Sequence, residues 1–142
     1  MMDGTVESNS PHHDLTISVE PVDIDTNGHV NNVVYLRWVQ EAAVAHWFAA
    51  VEPELANAVT WAVVRHEIDY KRPAMLGDSL IARTWIGEVT AATCERFCEI
   101  LRPIDGQTLA RLRWLQASVL ALVARRRPEP TGLRPQNRIH SH

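Results

Sequence analysis

The stretch DIDTNGHVNNVVYLRWVQEA, residues 23–42, decides how this chain is read. Its first ten positions hold two carboxylates, one histidine, three side-chain amides and a glycine, and an apolar run follows at once. Val33, Leu36, Val39, Ala43, Trp47 and Ala50 recur at three to four residues, which predicts a helix over 32–50 with those side chains on its buried stripe. The polar segment therefore stands where a helix begins. Asp25, Asn27, Asn31 and Asn32 are residue types that cap helices and stabilise turns. Gly28 lets the backbone turn sharply or approach a ligand closely. A helix N-terminus also offers free N–H groups and a partial positive charge, so residues 29–32 are placed to polarise a bound carbonyl. Capping and catalysis compete for the same residues.

Outward from this stretch the chain reads as strands. DLTISVEP, residues 14–21, alternates apolar and polar side chains and predicts a short strand ended by Pro21. In WAVVRHEIDY, residues 61–70, Ala62, Val64, His66, Ile68 and Tyr70 share one face, with Arg65, Glu67 and Asp69 on the other, the period of a half-buried strand. RPAMLGD reads as a turn. SLIARTWIGEV and ATCERFCEILRP follow as a hairpin with a short gap near Thr90, and PIDG turns the chain into a last strand from about Gln107. There Ala110, Leu112 and Trp114 alternate with Arg111 and Arg113, yet Leu115, Ala117, Val119, Ala121 and Val123 take the opposite phase. A bulge near Trp114 explains the slip, and so does an altered reading of the chain beyond it, such as a changed frame. The expected fold is α+β, an antiparallel sheet wrapped around one long central helix.

Composition sets the outer limits. With 142 residues, 46% hydrophobic and 22% charged, the chain is one domain with tails: a disordered leader over 1–12, a domain over 13–124 and a basic flexible tail over 125–142. Five arginines and a single acid stand from Arg125 onward, leaving nine basic and sixteen acidic residues, a net of −7, for residues 1–124. A body that acidic does not suit nucleic acid. The opening MMDGTVESNSPHHD lacks an apolar core, and the longest apolar run, near Leu115 to Ala124, is about half a membrane span. No secretory signal, no membrane partner and a cytoplasmic location are expected. Cys94 and Cys98 lie too far apart along a strand to bridge and read as reduced thiols, with no metal site around them. A thin sheet with one helix leaves a face to cover, so a homodimer or homotetramer is expected.

Residues 23–42 closely resemble the motif of the hotdog-fold acyl thioesterases, a group that includes 4-hydroxybenzoyl-CoA thioesterase, bacterial long-chain acyl-CoA thioesterases and the plant acyl-carrier-protein thioesterases. IDYKRPAMLGD, residues 68–78, is a weaker echo of the segment after the family's helix, and past Trp114 the resemblance fades. The resemblance implies that Asp25 is the catalytic carboxylate, acting either as nucleophile or as general base. Asp25, Asn27 and His29 stand where the plant enzymes carry Asp-x-Asn-x-His, while a further acid of those enzymes falls on Pro73 here. That favours an acyl-CoA over an acyl-carrier-protein substrate. Gly28, Asn31, Asn32, Tyr35, His66, Tyr70 and Arg72 are the expected substrate-binding residues, although the apolar face of their strand favours a core position for His66 and Tyr70. Lys71 and Arg72 suit CoA phosphates, and Glu41 reads either as a second polar group or as one half of a salt bridge.

Thioester hydrolysis needs a base or nucleophile on one side of the carbonyl and hydrogen-bond donors for the oxyanion on the other. The thiolate leaves readily, so no metal and no organic cofactor is implied. The chain has no Gly-x-Ser-x-Gly elbow and no glycine-rich phosphate loop. The rival of another class is a binding module that holds an acyl thioester without turning it over.

Overall fold

The computed structural model describes residues 11–118. Strand β1 (His13–Ser18) leads through a short 3-10 turn (Pro21–Asp23) to helix α1 (Asn32–Ala50) and a short helix α2 (Pro53–Ala58). Strands β2 (Trp61–Tyr70), β3 (Ser79–Val89), β4 (Thr93–Arg102) and β5 (Gln107–Ser118) complete the order of strand, helix, four strands that the sequence predicts. Only α2 is missed, because six residues led by Pro53 are too few to show a helical period. The sheet is antiparallel throughout, in the order β1-β3-β4-β5-β2.

Helix α1 lies against the sheet on a face that overlaps the expected stripe only in part, sharing Val39 and Ala43, with Leu36 and Trp47 half-buried. Val34, Tyr35, Trp38, Val39, Ala42 and Ala43 are buried, whereas Val33 is 64% exposed. The helix is apolar on most sides, so its period admits more than one buried face. The observed one encloses the large rings of Tyr35 and Trp38, which meet edge to face at 5.2 Å. Ile17, Leu80, Ala82, Cys98, Ile100, Leu109 and Leu112 supply the sheet side of this core. Cys94 and Cys98 are free thiols, as expected, both are buried, and burial pushes the Cys98 thiol up to about 12.

The expected bulge is present, but on the neighbouring strand. Ala110, Leu112, Trp114 and Gln116 are all buried, so β5 keeps one phase through Trp114. Beyond Trp114 both faces of β5 are covered: Gln116, whose Oε1 accepts from Trp114 Nε1 at 2.9 Å, is buried, and so is Ala117 of the expected opposite phase, with Leu115 half-buried. Opposite it, Val63 pairs with Gln116 and Arg65 with Leu115, which leaves Val64 of β2 as the extra residue. That bulge and the edge position of β2 undo the predicted half-buried face: Val64, His66 and Tyr70 are exposed and Ile68 is half-buried. Val119, Ala121 and Val123, together with residues 1–10 of the expected leader over 1–12 and the tail over 125–142, lie outside the described residues.

Candidate active site

The two carboxylates of the opening stretch part company in the structure. Asp23 is 1% exposed and acts as a bracket. Its Oδ2 accepts from the Glu20 N–H at 2.9 Å, its Oδ1 from Arg37 Nη2 at 3.0 Å, and its carbonyl from the Asn31 N–H at 2.9 Å. One residue thus ties the 3-10 turn to the start of α1. Arg37 also reaches Glu41 at 3.6 Å, so Glu41 is a surface ion-pair member and does not line the cleft described below.

Asp25 closes the next loop with its own side chain. Ile24 bridges Val30, the Asp25 N–H donates to the His29 carbonyl at 2.8 Å, and the Gly28 N–H returns to the Asp25 carbonyl at 3.1 Å. Gly28 sits at φ 80°, a left-handed conformation that glycine adopts without strain. Asp25 Oδ1 accepts from the Asn27 N–H at 2.8 Å and, at 3.4 Å, from that of His29. Oδ2 has no partner among the described residues. The local hydrogen bonds therefore orient the carboxylate and leave one oxygen available.

The helix start narrows the set of free donors. Of residues 29–32, the His29 N–H faces Asp25 Oδ1, the Val30 N–H donates to the Ala74 carbonyl at 3.0 Å, and the Asn31 N–H is taken by Asp23. Asn31 is the N-cap, its Oδ1 accepting from the Val33 N–H at 3.1 Å. Among the described residues this leaves the Asn32 N–H as the unpartnered donor of that set. Tyr70 donates its hydroxyl to the Asn32 carbonyl at 3.3 Å, and the Tyr35 hydroxyl accepts from the Ala74 N–H at 2.9 Å. Burial raises both phenols above their ordinary range, so both stay protonated near neutrality.

These groups line a cleft of about 420 Å³. Asp25, Asn27, His29, Asn31, Asn32, Tyr35, Tyr70 and Arg72 all border it, joined by Val30, Lys71 and Pro73. Gly28 shapes the loop without lining the cleft. His66 stays outside it, exposed on the edge strand opposite Trp114. The backbone N–H groups of Lys71 and Arg72 both donate to the Leu109 carbonyl, at 2.8 and 3.1 Å, which pins these residues at the rim. Sequence reading missed Asp23 as the bracket; a second carboxylate two residues from Asp25 carries no local sign of which of the two is buried. Among the described residues no cluster of three metal-ligating side chains occurs, and no helix is long and apolar enough to cross a membrane.

The profile of the thioesterase-like superfamily matches residues 19–130, running past Trp114, where the resemblance read from the motifs fades. No curated protein matches the sequence at a significant level. Among solved structures, a probable thioesterase, YbaW, from Escherichia coli is 24% identical, with 75% of this chain and 82% of that one covered and a TM-score of 0.70. A 1,4-dihydroxy-2-naphthoyl-CoA thioesterase from Synechocystis is 22% identical over 77% and 82% of the two chains, with a TM-score of 0.67. A mutant 4-hydroxybenzoyl-CoA thioesterase in complex with 4-hydroxybenzoyl-CoA is 17% identical over 75% and 83%, with a TM-score of 0.70. With this match over most of its length and a five-stranded antiparallel sheet around one long helix, the chain is a hotdog-fold member of the thioesterase-like superfamily.

Proposed function

We propose that this protein hydrolyses an acyl-CoA thioester to the free acid and the CoA thiol. The observation that carries the reading is the Asp25 carboxylate, held through Oδ1 by its own loop with Oδ2 free, in a cleft it shares with the unpartnered N–H of Asn32. In the base route Oδ2 takes a proton from water as the water oxygen bonds to the thioester carbon. The carbonyl oxygen gains charge against the Asn32 N–H and the helix N-terminus. Collapse of the adduct breaks the C–S bond, and the departing thiolate takes up the proton. In the nucleophile route Oδ2 itself bonds to that carbon and expels the thiolate, and water then opens the resulting anhydride. Asn27 and His29 border the same space and position substrate or water, and Asn31 holds the helix start in place. Tyr35, Tyr70 and Arg72 also line the cleft, and Lys71 and Arg72 suit the phosphates of CoA. The structure in complex with 4-hydroxybenzoyl-CoA supports a CoA ester as the first substrate to try.

The working form in this reading is a homodimer. Strand β2 is a ten-residue free edge with Val63 and Val64 44% and 47% exposed, and its end at Tyr70 borders the cleft. Pairing with a second β2 covers that edge and adds a wall to the site. The test is thiol release from short, medium and long aliphatic and from aromatic acyl-CoAs, by wild type and Asp25→Ala. Turnover that is lost in the variant supports the reading. Absence of turnover with CoA esters turns the test to acyl-carrier-protein esters, and failure there leaves a binding module.

A further inference from the structure

At the opposite end of α1 lies a second cavity of about 320 Å³, which shares no lining residue with the Asp25 cleft. Its walls are mainly apolar: Val44, Trp47 and Phe48 from the helix, Trp61 and Val63 from β2, and Trp114 from β5. Trp47 and Trp61 meet edge to face at 5.6 Å. Into this apolar space the sheet brings a guanidinium. Arg96 of β4 is only 3% exposed and makes no ion pair among the described residues.

Its hydrogen bonds go to neutral acceptors. Arg96 Nη1 donates to Thr84 Oγ1 at 2.9 Å and to His46 Nδ1 at 3.0 Å, while the Thr84 hydroxyl is itself spent on the Phe97 carbonyl at 2.8 Å. Among the described residues Arg96 Nε and Trp61 Nε1 are both fully buried with no partner, and both residues contribute to the cavity lining. Among the described residues no aspartate or glutamate lines the cavity, and Gln116 Oε1 is occupied by Trp114. Burying a charge without a counter-ion, and two N–H groups without acceptors, is costly. All the unmet demand is of one kind: it asks for an acceptor with negative charge.

We propose that this cavity is a second binding site, for a small carboxylic acid with an apolar aromatic or aliphatic body, its carboxylate paired with Arg96 and accepting from Trp61. The volume lies at the small end of the range for ligand pockets, which suits one or two rings or a short chain. The aromatic walls take the body and the guanidinium takes the head. A cation is repelled by Arg96, and a neutral amide leaves its charge uncompensated. The site stands independently of Asp25 and of the reaction proposed for it.

The test is titration of the full-length protein with benzoate, 2-naphthoate and hexanoate, followed by tryptophan fluorescence and by the rise in melting temperature. Benzamide and 2-naphthamide serve as uncharged partners. Saturable binding of at least one acid is expected, with its amide at least about tenfold weaker. Arg96→Gln is expected to weaken the acid by about tenfold or more, and Trp61→Phe, which keeps the ring but removes the N–H, by roughly two- to fivefold. Asp25→Ala leaves the affinity unchanged. If Arg96→Gln fails to fold, Trp61→Phe and the acid-to-amide ratio still decide. The proposal is overturned if no acid binds, if acids and amides bind alike, or if Asp25→Ala abolishes binding, which places the acid in the other cleft.

Discussion

The two ends of helix α1 handle polar groups in opposite ways. At the N-terminal end much of the loop backbone and the Asp25 and Asn31 side chains are tied within a few residues, and Asp25 Oδ2 and the Asn32 N–H are left unpartnered among the described residues at an open cleft. At the C-terminal end a guanidinium and an indole N–H are shut in among rings with their demand unmet. Spare capacity at an exposed site suits chemistry on a passing substrate, because water satisfies it in between. Spare capacity inside an apolar cavity persists until an acceptor arrives, so that end is suited to holding a ligand.

The contrast breaks first at Asp25. Asp25→Ala is expected to lower kcat/KM for thioester hydrolysis by about three orders of magnitude, the scale set by loss of a base or nucleophile. Circular dichroism should stay native, and retained turnover sinks the mechanism. Next comes the bracket beside it. Asp23→Ala strips two acceptor bonds from a buried carboxylate and should cost about 2–3 kcal/mol in urea unfolding, against about 1 kcal/mol or less for Asp25→Ala. Equal costs for the two would show that the division between scaffold and reactive carboxylate is wrong.

Strand β2 borders both ends, through Val63 at one cavity and Tyr70 at the other. Val64→Lys places a charge on its free edge, so the proposed dimer should sediment as a monomer, with hydrolysis reduced roughly tenfold as the added wall is lost. A dimer unaffected by this change moves the interface elsewhere. The smallest effect concerns His46. Burial, then the charges of Arg96 and His13, lower its pKa from 6.5 to about 4. The folded state thus binds this proton more weakly than the unfolded chain does. The stability linked to His46 is complete above pH 6.5 and is lost as pH falls toward 4. The difference in urea midpoint between wild type and His46→Gln should follow that window, and a pH-independent difference would contradict it.

How much of this was legible in the sequence depended on how local the causes are. The Asp25 loop was readable because its bonds join residues two to four apart, and its turn chemistry is written in Asp25, Asn27 and Gly28. The face of α1 was misread because Val33, Val34, Tyr35 and Leu36 are all apolar, so the buried side is chosen by the sheet. The phase of β5 was misread because burial of Gln116 depends on Trp114 beside it and on the bulge at Val64 across from it. Arg96 left no sign at all. Its surroundings come from α1, β3 and β5, with Trp61 and Val63 of β2 on the same cavity, and no window of sequence contains them together.

The strand order carries a kinetic consequence. Strands β3, β4 and β5 form successive hairpins, each closing a short loop, whereas β2 reaches the sheet only by pairing Tyr70 with Ala110 and Trp61 with Ser118. Long-range closure of that kind comes at an entropic disadvantage and belongs late in folding. Truncating Ile68, half-buried on β2, should therefore accelerate unfolding in a stopped-flow denaturant series and leave the refolding rate nearly unchanged. The walls that β2 lends to both cavities would then assemble late on the way to the native state and come away early.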